Sequence, residues 1–177
     1  EKDRFLSYLP WHHSFGGIFE RFSALYNGAT IYLESSYGKD PKEIMENWKL
    51  VQPSRFFSVP KVYQSLVDLA KSNNEAEKLF YHSGLKFIFT AAAALPANIS
   101  AEFEKRGVPV IEGWGLTETS PCCALTDQNL KRETGVVGKP IPGVTIRIAD
   151  EGEIQVKGPN VMRGYYKNDE ANDAAFT

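Results

Sequence analysis

Apolar positions over the first two thirds of the chain alternate between short runs and a helical period. Phe5 to Leu9 is an apolar run closed by Pro10, and Ala29 to Leu33 is another, placed after the Asn27-Gly28 turn. Between them Phe15, Ile18, Phe19, Phe22, Leu25 and Tyr26 recur at helical spacing and predict one apolar stripe. A helix is expected near Pro41–Lys49, followed by a strand at Arg55–Val59. Pro60 suits a first helical turn, which Val62, Tyr63, Leu66, Val67 and Ala70 continue. Leu85–Phe89 reads as a buried strand, Pro96 starts a helix carrying Ile99 and Phe103, and Val108–Ile111 is a further strand. This rhythm predicts an α/β layer with a largely parallel sheet.

After about residue 133 the period changes. Val144, Ile146 and Ile148 alternate with Thr145, Arg147 and Ala149, and Ile154 and Val156 alternate with Gln155 and Lys157. With the Asp150-Glu151-Gly152 turn between them, these segments predict a strand pair with one wet face. The expected division is an α/β portion over 1–133 and the start of a β-rich subdomain over 134–177.

Composition narrows the class. Of the 177 residues 42% are hydrophobic, enough for a sizeable core, and 20 Lys+Arg against 22 Asp+Glu leave a formal net charge of -2. No run of like charges suggests a nucleic-acid arm or a polybasic membrane patch. Phe87 to Leu95 is the longest apolar stretch and is too short to span a bilayer, which leaves room only for peripheral membrane contact. The two cysteines, Cys122 and Cys123, are adjacent, so no disulfide framework or CxxC pair is present and a cytoplasmic setting is expected. They read as small packing residues, and His82 as a surface loop residue.

Chemistry concentrates in Glu112-Gly113-Trp114-Gly115-Leu116-Thr117-Glu118-Thr119, directly after a predicted strand. Its glycines would let the backbone turn sharply and approach a ligand, and Trp114 offers a flat π surface. Thr117 brings a hydroxyl and Glu118 a hard carboxylate, a pair suited to a phosphate oxygen and its Mg²⁺. Such a loop belongs beyond the carboxyl ends of the strands, where open α/β sheets gather ligands. The residues alone favour a plainer reading: a glycine turn, a threonine helix cap and a core Trp114.

The same segment resembles the Tyr-Gly-x-Thr-Glu signature of the adenylate-forming enzymes, the superfamily of acyl-CoA synthetases, luciferases and peptide-synthetase adenylation domains. Four other stretches are similar to that family in order and spacing. They are Leu9-Pro10-Trp11-His12-His13-Ser14-Phe15-Gly16, Thr90 through the alanines to Pro96, Gly135 to Pro140, and Gly152-Glu153-Ile154 on to Gly164-Tyr165-Tyr166.

The resemblance implies roles residue by residue. Trp114 takes the place of the aromatic that stacks on adenine, usually Tyr; the indole keeps the π face and replaces the phenol O–H with an N–H. Ala92 and Ala93 correspond to small residues lying against the adenine, where glycine is more usual. Glu112 stands where Gln or Asn is common, Gly113 lies where the carboxylate approaches, and Gly115 completes the nucleotide-facing signature. Thr117 corresponds to the residue that binds the α-phosphate and Glu118 to the Mg²⁺ ligand. His13 falls near the carboxylate and phosphate groups, where its imidazole could donate to developing charge. Phe15 corresponds to a residue of the acyl pocket, and His12 is expected to cap the following helix.

The implied activity is a long-chain-type fatty-acid–CoA ligase: ATP and a carboxylate give acyl-AMP and pyrophosphate, and coenzyme A then takes the acyl group. Such catalysis relies on positioning, Mg²⁺ and donors aimed at phosphorus. The family's Pro-Lys-Gly phosphate loop would precede Glu1. Its ribose-binding Asp, its hinge and its catalytic lysine would follow Thr177. The expectation is therefore a middle piece of a longer enzyme, inactive by itself. Activation of an aryl, short-chain or amino acid, and nucleotide binding without turnover, are the alternatives.

Overall fold

A computed structural model describes residues 2–127, 129 and 132–177. Five parallel strands form the main sheet: β1 (Arg4–Ser7), β2 (Thr30–Leu33), β3 (Arg55–Ser58), β4 (Phe87–Thr90) and β5 (Val110–Trp114). Two short strands, β6 (Ala124–Leu125) and β7 (Lys139–Pro140), extend it antiparallel in the order β2-β1-β3-β4-β5-β6-β7. The mixed, mostly parallel α/β architecture agrees with the sequence reading.

The helices follow local signals. A π-helical stretch, Phe15–Glu20, runs straight into α1 (Arg21–Tyr26). Helix α2 (Pro41–Val51) starts at Asp40, whose Oδ1 accepts from the N–H groups of Lys42 and Glu43, with Pro41 in its first turn. Helix α3 (Pro60–Ser72) buries Val62, Tyr63, Leu66, Val67 and Ala70, the stripe read from the sequence. Helix α5 is Ala97–Glu104. Two helices escaped the periodicity: α4 (Asn74–Phe80), capped by Asn73, and α6 (Asp169–Ala175), capped by Asn168.

The sheet is covered unequally. Phe56 and Ile88 are sealed against α2 and α3, with the Trp48 and Phe56 rings 4.9 Å apart and Phe56 and Tyr63 meeting edge-on. The Tyr63 phenol donates to the carbonyls of Phe56 and Phe89 at 2.8 Å, tying α3 to β3 and β4. On the other face Phe5, Phe57 and Phe89 form an aromatic row against which Phe15 and Phe19 pack. Phe22, Leu25 and Tyr26 of α1 are exposed.

Strands β8 (Thr145–Ile148) and β9 (Ile154–Lys157) pair antiparallel as a separate ribbon. Gly152 takes φ +88 in their turn, a conformation glycine adopts without a Cβ clash. Both strands fall where the alternating pattern puts them, but the face expected to be dry is not covered: Ile148 and Ile154 are exposed. Among the described residues no helix is long and apolar enough to cross a membrane.

Candidate functional site

The carboxyl ends of β1, β4 and β5 open onto one cavity of about 540 Å³. This is within the usual size of a small-molecule site. His13 and Phe15 reach it from the segment after β1, Ala92 and Ala93 from the loop after β4. Glu112, Gly113, Trp114, Gly115, Thr117 and Glu118 complete the wall. All the candidate residues named from the sequence therefore meet at one place, although they lie as far as 105 positions apart (118 minus 13).

The signature departs from the expected loop in one respect. Glu112, Gly113 and Trp114 belong to β5, which ends three residues later than its sequence pattern suggests, because β6 adds an antiparallel partner at Gly113 and Trp114. Neither Gly113 nor Gly115 has a positive φ, so they do not serve to reverse the chain. Instead they permit close packing. A Cβ on Gly113 would lie 2.6 Å from Cζ of Phe89, and one on Gly115 would lie 1.8 Å from the carbonyl oxygen of Pro121.

The turn itself is a short 3-10 segment, Thr117–Thr119. Buried Thr119 braces it: Oγ1 accepts from Leu116 N–H and also donates to Leu116 O, both at 2.9 Å. The capping threonine is thus Thr119, which leaves the exposed Thr117 hydroxyl at the cavity, 3.4 Å from Oγ of buried Ser14. Trp114 is only partly buried and lines the cavity rather than filling the core. Glu118 Oε1 accepts from the Tyr165 phenol at 2.7 Å, which holds the Glu118 carboxyl below its ordinary range and so keeps it ionised.

The alanine loop is anchored from below. Leu95 N–H donates to Glu112 Oε1 at 3.1 Å, and Arg132 pairs with Glu112 Oε2. Both carboxylate oxygens are thereby engaged by protein groups. Ala92 sits at φ +73, a left-handed conformation in which its Cβ is crowded. The apolar wall comes from Phe15, Phe19 and Phe89. Behind Phe19 and Phe89 lies a second cavity of about 270 Å³, bounded by Phe5, Phe57 and Phe87 among others.

The histidines differ in part from expectation. His13, not His12, makes the local capping contact: its Nδ1 accepts from Phe15 N–H at 3.2 Å, so a neutral ring carries its proton on Nε2, leaving that nitrogen to donate. His82 lies in the loop between α4 and β4, as read from the sequence, but it is half-buried there and meets Trp48 edge-on at 6.4 Å, and burial lowers its pKa. Cys122 and Cys123 are buried as expected of packing residues, and burial pushes the Cys122 thiol up to about 11, unsuited to a nucleophile. Ser14, Thr119, Arg132 and Tyr165 were not singled out from sequence. Of these, Ser14 had a local signal, a helix-start residue directly before the apolar stretch at Phe15.

Comparison with known proteins adds a frame. Residues 1–166 match the model of a family described as AMP-binding enzyme. A long-chain-fatty-acid–CoA ligase of Thermus thermophilus is 33% identical over 163 residues, covering 78% of this chain and 29% of its own length. The O-succinylbenzoate coenzyme A synthetase of Bacillus subtilis, solved with ATP and magnesium ion, superposes on all of this chain and 37% of its own at a TM-score of 0.80 and 24% identity. A malonyl-CoA ligase solved with methylmalonyl-CoA and AMP gives a TM-score of 0.81 at 26% identity, covering 99% of this chain and 39% of its own. The chain spans between 29% and 39% of the length of these relatives.

Proposed function

This chain belongs to the AMP-binding enzyme family, and on that premise we propose that it is the adenylate-holding centre of a longer acyl-CoA ligase. The observation that carries this reading is the convergence of Trp114, the Ala91–Ala94 loop, Thr117, Glu118 and His13 on one cavity at the strand ends. In this reading ATP binds with its adenine against Trp114 and the alanines, and Thr117 donates to the α-phosphate. His13 Nε2 donates to the carboxylate or phosphate oxygens as charge moves between them. The carboxylate attacks the α-phosphorus, pyrophosphate leaves, and coenzyme A thiol then displaces AMP from the acyl carbon.

Magnesium fits the residues present. Among the described residues no three His, Cys, Asp or Glu side chains gather as a metal site. An ionised Glu118 beside a phosphate position matches how Mg²⁺ is held, by one or two carboxylates with water and substrate phosphates completing the shell. Bound there, the ion supplies charge neutralisation to the phosphates during displacement. Glu118 provides the fixed carboxylate and Thr117 the neighbouring hydroxyl.

The carboxylate we propose is a long-chain fatty acid. Phe15, Phe19 and Phe89 present an apolar wall, and the second cavity behind them extends that wall by about 270 Å³. The Thermus thermophilus relative carries that substrate in its name, while the two structural neighbours carry smaller, more polar acids in theirs. The division into 1–133 and 134–177 belongs to the same reading in outline: β7 still extends the main sheet, and the separate β8–β9 ribbon begins the β-rich part.

The test is pyrophosphate release with ATP, Mg²⁺ and a panel of aliphatic, aryl and amino acids, run on the longer protein and on the 177 residues alone. Release by the longer protein with long-chain acids and none by the 177 residues is expected. Selective use of aryl or amino acids would overturn the substrate class. Turnover by the 177 residues at an ordinary ligase rate would overturn the partial-site reading, and nucleotide binding with no turnover by either protein would overturn the ligase itself.

A further inference from the structure

The stretch Asn160 to Tyr165, beyond the β8–β9 ribbon, is fastened onto the signature turn. Asn160 Nδ2 donates to the carbonyls of Thr119 at 3.0 Å and Cys122 at 2.9 Å. Met162 N–H donates to the Glu118 carbonyl at 2.7 Å. The Tyr165 phenol donates to the Glu118 carboxylate itself, again at 2.7 Å. Backbone and side chain of Glu118 are thus gripped from the same strap.

Tyr165 is gripped in turn. Its N–H donates to Asn172 Oδ1 at 2.6 Å, and Asn172 Nδ2 donates back to the Tyr165 carbonyl at 3.1 Å, a two-point clamp from α6. Gly164 precedes it at φ +145, and a Cβ there would lie 2.9 Å from Asn172 Oδ1. The positive φ is what favours glycine here, since the end of the Asn172 side chain could shift aside. A continuous path runs from α6 through Tyr165 to a carboxylate 54 residues earlier (172 minus 118).

We propose that Tyr165 is a positioning residue: its phenol fixes the rotamer in which the Glu118 carboxylate takes Mg²⁺, and Asn172 fixes Tyr165. The inference rests on the reading of Glu118 as the metal-holding carboxylate. A glutamate on an exposed 3-10 turn has three side-chain torsions to restrain, and its metal affinity depends on how many of its rotamers point away. A donor on one carboxylate oxygen removes that freedom while lone pairs of the carboxylate stay open to the cation, the usual division of labour between a ligand and its hydrogen-bond partner. The phenol is suited to this because it adds no charge to compete with the ion. The clamp also makes the α6 segment part of the site although none of its residues lines the cavity.

The experiment measures ATP dissociation constants of the longer protein by equilibrium dialysis, with Mg²⁺ and with EDTA, so that no turnover is read. Tyr165→Phe is expected to reduce the Mg²⁺-dependent tightening about 10-fold, the scale for such supporting contacts, and to leave the EDTA value unchanged. Asn172→Ala should act in the same direction. In a Glu118→Gln background Tyr165→Phe should have no further effect. If Glu118→Gln abolishes the tightening while Tyr165→Phe keeps it at the wild-type level, the proposal falls and the metal reading stands. If Glu118→Gln leaves the tightening intact, the metal reading falls and takes the proposal with it. Equal weakening by Tyr165→Phe with and without Mg²⁺ would mark the contact as structural only and overturn the positioning role.

Discussion

Glu112 and Arg132 meet beneath the alanine loop with side-chain exposures of 2% and 6%, an ion pair almost sealed from water. The same carboxylate holds Leu95 N–H, so the pair sets the height of the loop that walls the cavity. Removing one partner strands the other. Arg132→Ala is expected to cost about 3–5 kcal/mol in urea unfolding of the chain, the range for breaking a buried pair from one side. Replacing both with apolar residues of similar volume should cost less than the single change, since no charge then remains buried. A single-variant loss below about 1 kcal/mol, the size of an exposed pair, would show that water reaches the site.

Glu20 gives the fold a pH dependence. Its side chain is fully buried on the π-helical stretch; burial pushes the carboxyl up to about 8, and the Ser7 hydroxyl, donating at 2.7 Å, offsets only part of that. A folded value above the unfolded one means the folded chain holds the extra proton between about 4.5 and about 8. The stability from the protonated form is therefore complete below the unfolded value. It is lost as pH rises through the folded value, with a slope of at most about 1.4 kcal/mol per pH unit. Thermal melts from pH 5 to 9 should show a falling midpoint, and Glu20→Gln should flatten it. An unchanged profile in that variant would assign the dependence to another group.

What was legible in the sequence was local. Helix α3 and the β8–β9 hairpin followed from spacing because their stripes and turn residues act within a few positions. Strand β5 was read short because its last residues, Gly113 and Trp114, are strand only through pairing with Leu125 and Ala124, and no periodicity records a partner 10–12 positions away. The π-helical stretch was hidden for a similar reason. Its glycines are required by contact with the preceding loop, a Cβ on Gly17 falling 1.9 Å from the Trp11 carbonyl oxygen. Candidate site residues emerged from resemblance and gathered in space, whereas Arg132 and Tyr165 escaped because only the folded topology brings them to Glu112 and Glu118.

Ala92 offers a stability test with a definite sign. At φ +73 an alanine carries the left-handed penalty of about 1–2 kcal/mol. Glycine removes it and gives back part through a freer unfolded chain. Ala92→Gly should therefore raise stability by a net of about 0.5–1 kcal/mol in urea unfolding. A loss of stability would mean that the methyl makes a packing contact worth more than the strain.

Trp114 tests the nucleotide reading most directly. The ring is partly exposed at the cavity, at the same sheet end as the alanine loop of the neighbouring strand, and its carbonyl is tied back by Cys123 N–H at 2.8 Å, so truncating the side chain leaves the β5–β6 ladder in place. If adenine stacks there, Trp114→Ala in the longer protein should weaken ATP binding by about 1–3 kcal/mol, the range for one base on one aromatic ring. Trp114→Tyr keeps a π face and should recover most of that loss, while Trp114→Leu keeps apolar area without the ring electronics and should recover less. The ordering Trp, then Tyr, then Leu, then Ala separates stacking from simple burial. Equal affinities for the tyrosine and leucine variants would reduce Trp114 to an apolar filler. Wild-type affinity in the alanine variant would remove it from the nucleotide site.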